Sequence, residues 1–301
     1  MTPPPTEPPQ LREVHVVAES DVFKALYLDR ERMALRPNLT FVDRRGEIIF
    51  ESNELGLKGD PLDPGRKLAV VWGDSVAFSA GRGWPCLLDA LAPGYQFLNG
   101  GIDGDPYVNI LRRAREFNRQ HKVSLNVLML GWHPFLPDRV VRRSRPWTRL
   151  IGGSGQVELR LNRTGNRNLG EDLTAFLREL PNTVVLTMPT ALNPKIIAKN
   201  LSGYLIEGDD ETGFAFLGYI PYGLAIQRQG FDHIVERNGI TREVCTRLGI
   251  PFIDLYAAFD TENAADFREH FRDILHIRPR SYGLTARLVY DGIKDLLSGP
   301  D

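Results

Sequence analysis

The sequence is poor in cysteine and has no long apolar run. Among its 301 residues only Cys86 and Cys245 are cysteines, and they lie far apart with no CxxC spacing. This argues against a disulfide framework and against a structural zinc site. No stretch approaches the roughly 20 apolar residues of a membrane span, and the N-terminus MTPPPTEPPQ lacks the basic start and apolar core of a secretion signal. We therefore predict a cytoplasmic protein.

The charge of the chain is nearly balanced. Lys and Arg total 37 against 38 for Asp and Glu, so nothing in the overall charge favours nucleic acid or an anionic membrane as a partner. The basic cluster between Arg139 and Arg149 is predicted to be a solvated loop rather than an anion-binding patch. With 42% apolar and 25% charged residues, the composition is that of a soluble globular enzyme with a substantial core.

The pattern of the chain changes along its length. Residues 1–10 form a Pro-rich tail that is predicted to be disordered. Residues 11–66 resemble a small β-rich extension, and residues 67–301 read as the main domain. Two stretches, 132–168 and 189–228, fit neither helix nor strand periodicity, and long irregular segments in such domains are usually functional. We expect these insertions to supply walls or lids of a pocket.

Within the main domain, short apolar runs alternate with helical periodicity. The predicted strands are Leu68–Trp72, Gln96–Asn99, Asn126–Leu130, Thr183–Met188 and Pro251–Leu255. The predicted helices are Trp84–Leu91, Tyr107–Arg119, Asp172–Leu180, Phe231–Leu248 and Ser281–Leu297. This alternation predicts an α/β fold in which helices flank a parallel sheet.

A polar triplet, Gly73-Asp74-Ser75, interrupts the apolar run that ends at Trp72. In open α/β sheets the ligand site lies at the carboxyl ends of the strands. Gly73 permits a tight turn, and Ser75 would then lie near the N-terminus of the next segment, where unpaired backbone N–H groups point at an anion. The triplet has two interpretations: Ser75 is a nucleophile, or Ser75 or Asp74 is only a helix N-cap.

A serine nucleophile needs a base and a carboxylate that orients the base. The segment Asp273-Ile-Leu-His276 supplies both types of residue at a spacing that brings them to one side of a turn. Asp254, at the end of the last predicted strand, is an alternative orienting carboxylate. Asp273 is favoured because it is closer in sequence to His276.

Together these motifs resemble the SGNH hydrolase superfamily, also called the GDSL-type esterases. The resemblance covers about residues 67–297, and the blocks occur in the family's order at the ends of successive predicted strands. The blocks are Gly73-Asp74-Ser75 with Gly81 downstream, Asn99-Gly-Gly-Ile-Asp-Gly104, Gly131-Trp132-His133, and Asp273-x-x-His276 followed by Tyr282-Gly283. The third block departs from the family pattern, since His133 stands where the family has asparagine.

The resemblance implies a three-layer α/β/α flavodoxin-like domain with a central parallel sheet. It also implies hydrolysis of a carboxylic ester, with Ser75 as nucleophile, His276 as general base and then general acid, and Asp273 holding the imidazole tautomer. Backbone N–H groups of Ser75 and Gly104 would form the oxyanion hole. The implied substrate is an O-acetyl or other short acyl ester of a carbohydrate or small polar molecule. Neither cofactor nor metal is implied; the alternatives are a non-catalytic binding protein and an acyltransferase.

His133 has three interpretations. Its imidazole N–H donates to the oxyanion in place of the asparagine amide, or its presence marks a weakened site, or the ring is bonded elsewhere for structural reasons. Trp132 beside it is predicted to contact substrate, although a tryptophan at a strand end also packs under loops. The remaining histidines are without partners at metal-ligand spacing and are predicted to be surface or packing residues: His15, His121, His233 and His270.

Overall fold

The computed structural model describes thirteen parts of the chain. They are residues 13–16, 28–29, 34–42, 48–79, 81–131, 139–143, 156–160, 166–198, 205–206, 218–219, 224–259, 269–271 and 275–298. The strands are β1 (Glu13–Val16), β2 (Leu28–Asp29), β3 (Ala34–Leu35), β4 (Leu39–Val42), β5 (Ile48–Glu51), β6 (Lys67–Trp72), β7 (Tyr95–Asn99), β8 (Leu125–Met129), β9 (Arg139–Arg143), β10 (Gln156–Arg160), β11 (Thr183–Leu186), β12 (Leu205–Ile206), β13 (Gly218–Tyr219) and β14 (Phe252–Ile253).

Helices follow most strands of the main domain. They are α1 (Ser75–Phe78), α2 (Tyr107–Gln120), α3 (Leu169–Glu179), α4 (Pro194–Ala198), α5 (Leu224–Leu248), α6 (Leu255–Ala258) and α7 (Tyr282–Leu297), with 3₁₀ helices at Trp84–Ala90 and Pro279–Ser281. None of these described helices is long and apolar enough to cross a membrane.

The central sheet has five parallel strands in the order β14-β11-β8-β6-β7. Numbered along the chain, these strands run 2-1-3-4-5 across the sheet from β7, which is the flavodoxin-like order. The strand order reverses at β6, so the topological switch point lies between the carboxyl ends of β6 and β8. That is the edge at which the resemblance placed the polar blocks.

Both faces of the sheet are buried, which explains why its strands are almost continuously apolar. In β6, Val71 faces a core that includes Trp84 and Val289, from the first 3₁₀ helix and α7. The neighbouring Val70 faces a second core, with Ile110 of α2 and Phe176 of α3. The three-layer α/β/α class predicted from the sequence is therefore confirmed.

The N-terminal extension forms a small mixed sheet in the order β1-β4-β5, beside the hairpin β2-β3. The strand β4 pairs in parallel with β1 and antiparallel with β5. An isolated bridge between Lys58 and Asn99 joins the extension to the end of β7. The extension therefore contacts the main sheet at the edge where the sequence motifs lie.

Part of the basic cluster was wrongly predicted as a loop. Residues Arg139–Arg143 form β9, which pairs antiparallel with Gln156–Arg160. The partner strand lies outside the basic cluster, and only Val140 and Val141 of β9 are apolar. The local sequence pattern therefore did not predict a strand here. Helix α5 also begins at Leu224, inside the second stretch that had no clear periodicity. Most of both insertions lies outside the described residues, so their role as pocket walls remains a prediction.

Candidate active site

The Gly-Asp-Ser triplet lies directly after β6 and begins α1. Asp74 is the N-cap of α1, and its carboxylate accepts a hydrogen bond from the Val76 N–H at 3.0 Å. A Cβ at Gly73 would lie 2.6 Å from the Cβ of Ala77, so only glycine fits this turn. The capping role therefore belongs to Asp74, and Ser75 is the half-buried first residue of the helix.

The Ser75 hydroxyl contacts the imidazole that the sequence paired with it. The distance between Ser75 Oγ and His276 Nε2 is 2.8 Å, although the two residues are 201 positions apart. A hydroxyl and a base nitrogen at this distance are within direct proton-transfer reach. The structure thus brings together two of the three predicted triad residues.

His276 is positioned by a short, closed segment before α7. Phe271 and Ile277 form an antiparallel bridge, and both side chains are buried in the core that contains Val71. The Arg278 N–H donates to the His270 carbonyl at 2.8 Å, and this hydrogen bond also holds the two ends of the segment together. Asp273, the predicted orienting carboxylate, lies outside the described residues.

Asp254, the alternative orienting carboxylate, is engaged elsewhere. It is the N-cap of α6, where one oxygen accepts from the Ala257 N–H at 3.1 Å and from Thr187 Oγ1 at 2.8 Å. Its other oxygen accepts from Arg242. Burial alone would raise the pKa of Asp254, but these hydrogen bonds lower it overall. Asp254 is therefore a capping residue in the described structure.

The loop that leaves β7 packs against the turn formed by Gly73-Asp74-Ser75. The Ile102 N–H donates to the Gly73 carbonyl at 3.1 Å. A Cβ at Gly101 would lie 2.8 Å from the Cα of Phe78, so the loop backbone touches α1 itself. Gly104, the predicted oxyanion-hole donor, has a φ of 78° in this loop, a conformation that favours glycine. Its role as a donor remains a prediction.

The loop that leaves β8 meets the same turn from the other side. Gly131 has a φ of 71°, and a Cβ there would lie 2.5 Å from the carboxylate carbon of Asp74. Trp132 and His133, which follow Gly131, lie outside the described residues. The ends of β6, β7 and β8 therefore converge around Ser75 at the topological switch point.

Several residues that support this arrangement were missed by sequence reasoning. The Asn99 amide donates to the carbonyls of Ala77 at 2.8 Å and Phe78 at 3.2 Å. Lys58, with a side chain that is 0% exposed, donates from Nζ to the carbonyls of Phe78 and, at 3.0 Å, Ser79. Burial lowers the pKa of Lys58 to about 7. Both residues bind the C-terminal end of α1.

Arg113 performs a similar task for the loop after β7. Its guanidinium is buried, contacts the Asp105 carboxylate at 2.6 Å, and donates to the Gly100 carbonyl at 2.7 Å. Burial lowers the pKa of Arg113, against the opposing effect of Asp105. The sequence contained one indication of this role. Arg113 is a charged residue three positions after Ile110, so helical periodicity places it on the buried face of α2.

Metal-ligating side chains do not cluster in the described part of the chain. No group of three or more His, Cys, Asp or Glu there is arranged to bind an ion. His233, predicted to be a surface or packing residue, is half-buried, and burial lowers its pKa to about 4. Its ring lies 3.3 Å from the Asn166 amide.

Comparisons with known proteins found likeness among solved structures. A lipase/acylhydrolase from Enterococcus faecalis is 18% identical, with 78% of this chain and 99% of that chain covered and a TM-score of 0.47. An α/β hydrolase enzyme from the metagenome of Lake Arreo is 15% identical, with coverages of 78% and 98% and a TM-score of 0.49. A catalytic mutant of an acetylxylan esterase from Geobacillus stearothermophilus is 15% identical, with coverages of 77% and 95% and a TM-score of 0.47.

No protein-family model and no curated protein matches the chain.

Proposed function

We propose that this chain is an ester-cleaving serine hydrolase of the SGNH type, with Ser75 as its nucleophile. The observation that carries the proposal is the 2.8 Å contact between Ser75 Oγ and His276 Nε2 at the switch point of the sheet. A binding protein does not require the two side chains to meet at this distance, whereas a serine hydrolase does. The contact therefore favours an enzyme over a binding protein.

The reaction would proceed through an acyl-enzyme. His276 Nε2 accepts the Ser75 proton as Oγ bonds to the ester carbonyl carbon, and the carbonyl electron pair moves onto oxygen. Collapse of this intermediate breaks the bond to the alcohol, which takes the proton from His276. Water then attacks the acyl-enzyme with His276 again as base, and this releases the acid and restores Ser75.

The oxyanion would be stabilised by donors on the converging loops. The Ser75 N–H belongs to the first turn of α1, where N–H groups have no intrahelical acceptor. Gly104 and His133 are the further proposed donors, and Asp273 the proposed orienting carboxylate. By the SGNH resemblance, we propose an O-acetyl or other short acyl group on a carbohydrate or small polar molecule as the substrate.

A labelling experiment tests the nucleophile. Wild-type protein should react with a fluorophosphonate probe and hydrolyse short-chain p-nitrophenyl esters, whereas Ser75→Ala should do neither. His276→Gln should keep the fold and lose about 10²–10⁴-fold in kcat. Ser298→Ala, at an exposed serine whose hydroxyl donates to the Lys294 carbonyl, is the matched control. Label or turnover that survives in Ser75→Ala would rule out the assignment.

Acyl transfer to another hydroxyl uses the same residues and can be read in the same assay. Addition of a carbohydrate acceptor should leave p-nitrophenol release unchanged and yield free acid if the protein is a hydrolase. Appearance of the acylated carbohydrate in place of the acid would identify an acyltransferase instead.

A further inference from the structure

Arg237 is a buried cation beside the candidate active site. It projects from α5 and is 1% exposed. Its Nε donates to Asn166 Oδ1 at 3.0 Å, and its Nη1 donates to the Gly131 carbonyl at 2.5 Å. The guanidinium carbon lies 5.5 Å from the centre of the Tyr107 ring. One side chain thus joins α5, the end of β8 and α2.

Gly131 lies between Arg237 and the carboxylate that caps the nucleophile helix. The Cα of Gly131 lies against Asp74, since a Cβ there would come within 2.5 Å of the carboxylate. The carbonyl of Gly131 accepts a hydrogen bond from Arg237. Asp74 is itself 0% exposed. Burial lowers the pKa of Arg237 to about 10, and Asp74 is the strongest of the charges that oppose this shift. Arg237 is therefore still protonated at neutral pH.

The burial of a guanidinium carries a large desolvation free energy. An apolar side chain of similar volume packs as well without the desolvation penalty, so a buried arginine needs partners that require its charge or its hydrogen bonds. Here the hydrogen-bond partners are the amide oxygen of Asn166 and the carbonyl of Gly131, which directly precedes Trp132-His133. The buried carboxylate of Asp74, which caps the helix that begins with Ser75, adds a favourable charge interaction.

We propose that Arg237 is a positioning residue for the reaction at Ser75. Its guanidinium fixes the carbonyl of Gly131 and balances the charge of Asp74, so that α1 and Gly131 keep their mutual geometry. The inference rests on the proposed esterase function, but it concerns a residue that does not touch the reacting atoms. It acts through Asp74 and Gly131.

Steady-state kinetics on purified variants test this role. Arg237→Met should lower kcat for p-nitrophenyl acetate by about 10- to 100-fold, with little change in KM, because misplaced catalytic groups slow the chemical step. The rate of fluorophosphonate labelling should fall by a similar factor. Arg247→Met, at an exposed arginine in the last turn of the same helix, should match wild type. A folded Arg237→Met with the kcat of that control would overturn the proposal.

Two further variants separate positioning from simple packing. Asp74→Asn keeps a capping side chain but removes the charge, so Asp74→Asn in the Arg237→Met background should recover part of the lost kcat. Additive losses would overturn the charge-balance argument. If Arg237→Met does not fold, Arg237→Lys decides. It keeps the charge but replaces the two-pronged donor that binds Asn166 and Gly131, so kcat should fall several-fold in a protein that still unfolds cooperatively.

The activity of the wild-type protein distinguishes a failure of the proposed esterase function from a failure of the proposed role of Arg237. If wild-type protein is neither labelled nor active, the proposed esterase function fails. If wild type is active and the folded Arg237 variants are equally so, only the role of Arg237 fails.

Discussion

At the scale of single residues, Ser75 is surrounded by groups that act on it from different parts of the chain. Asp74 precedes it and caps its helix, while His276 reaches it from the segment before α7. A lone N-cap would explain a polar residue at this turn, but it would not explain an imidazole at 2.8 Å from the hydroxyl. The two sequence interpretations therefore apply to neighbouring residues: Asp74 caps, and Ser75 meets a base.

His133 offers a prediction at this scale, although it lies outside the described residues. If its ring donates to the oxyanion, His133→Ala should lower kcat by about 10²–10³-fold with little change in KM, since this interaction exists mainly in the transition state. His133→Asn should be tolerated because it restores the amide that the SGNH pattern uses. Kinetics and thermal unfolding of both variants measure this, and an unchanged kcat for His133→Ala would exclude the ring as a donor.

Lys58 leads to a prediction about pH and stability. Burial lowers its pKa from 10.5 to about 7 in the folded protein. Between these values the unfolded chain binds more protons than the folded protein, so the free energy of unfolding should rise with pH from about 7 to about 10. From pH 7 to pH 9 we expect this lysine to contribute about 2 kcal/mol to the rise.

Urea unfolding at pH 7 and pH 9 measures this effect. Lys58→Met should lack this part of the pH dependence, because the methionine side chain does not titrate. Lys122→Met, at an exposed lysine, should keep the wild-type dependence. Equal slopes in wild type and Lys58→Met would show that Lys58 does not control it.

At the scale of elements, α1 is a single turn that cannot be stable alone. It spans only Ser75–Phe78, and helices of this length form in proteins because tertiary contacts compensate for the cost of nucleation. Asp74 caps its first turn, while Asn99 and Lys58 bind the carbonyls at its end. The position of Ser75 therefore depends on β7 and on the N-terminal extension.

The close approach of the β7 loop to α1 gives a prediction at the element scale. Gly101→Ala would place a methyl group 2.8 Å from the Cα of Phe78, and the atoms that it meets are backbone atoms of Ala77 and Phe78, which cannot easily move away. We expect a loss of about 1–3 kcal/mol in stability together with a lower kcat, since the loop and α1 must separate. Gly94→Ala, where a Cβ meets nothing within 4 Å, is the control. Unchanged melting and activity in Gly101→Ala would contradict the close packing.

At the scale of the whole molecule, the N-terminal extension is joined to the main domain by buried and charged contacts. Lys58 contributes a buried amine, and its backbone N–H donates to the Asn99 carbonyl at 2.9 Å. Arg82, in the loop after α1, contacts Glu51 and, at 2.7 Å, Asp60. These contacts attach the extension to the segment that carries Ser75.

Truncation tests this dependence. Removal of residues 1–66 should abolish turnover and lower the melting temperature, because it exposes apolar side chains of the main domain that share a buried core with Leu57 and removes Lys58, a partner of α1. Removal of residues 1–10 deletes none of Glu51, Lys58 and Asp60 and should preserve kcat. A fragment of residues 67–301 with wild-type kcat would show that the main domain is catalytically independent.

Local sequence patterns were sufficient to predict the five strands of the central sheet and the longer helices between them. These elements follow from apolar runs that are buried on both sides and from helical periodicity. The pairing of Ser75 with His276 was predicted from polar blocks that resemble the SGNH pattern. The predicted bounds of a strand differ from the structure where a helix cap interrupts the apolar run. The last strand was predicted as Pro251–Leu255, but β14 covers Phe252–Ile253, because Asp254 caps α6 and Leu255 begins it.

The residues that support the site could be identified only once the layers of the fold were seen packed together. Four polar side chains bind backbone carbonyls that are distant in sequence: those of Lys58, Asn99, Arg113 and Arg237. In the sequence, each is only a polar residue near apolar ones, so its partner could not be predicted. The same holds for Gly101 and Gly131, whose need for glycine arises from the Cα of Phe78 and the carboxylate of Asp74. A distance between elements is fixed when the layers pack, and no local periodicity encodes it.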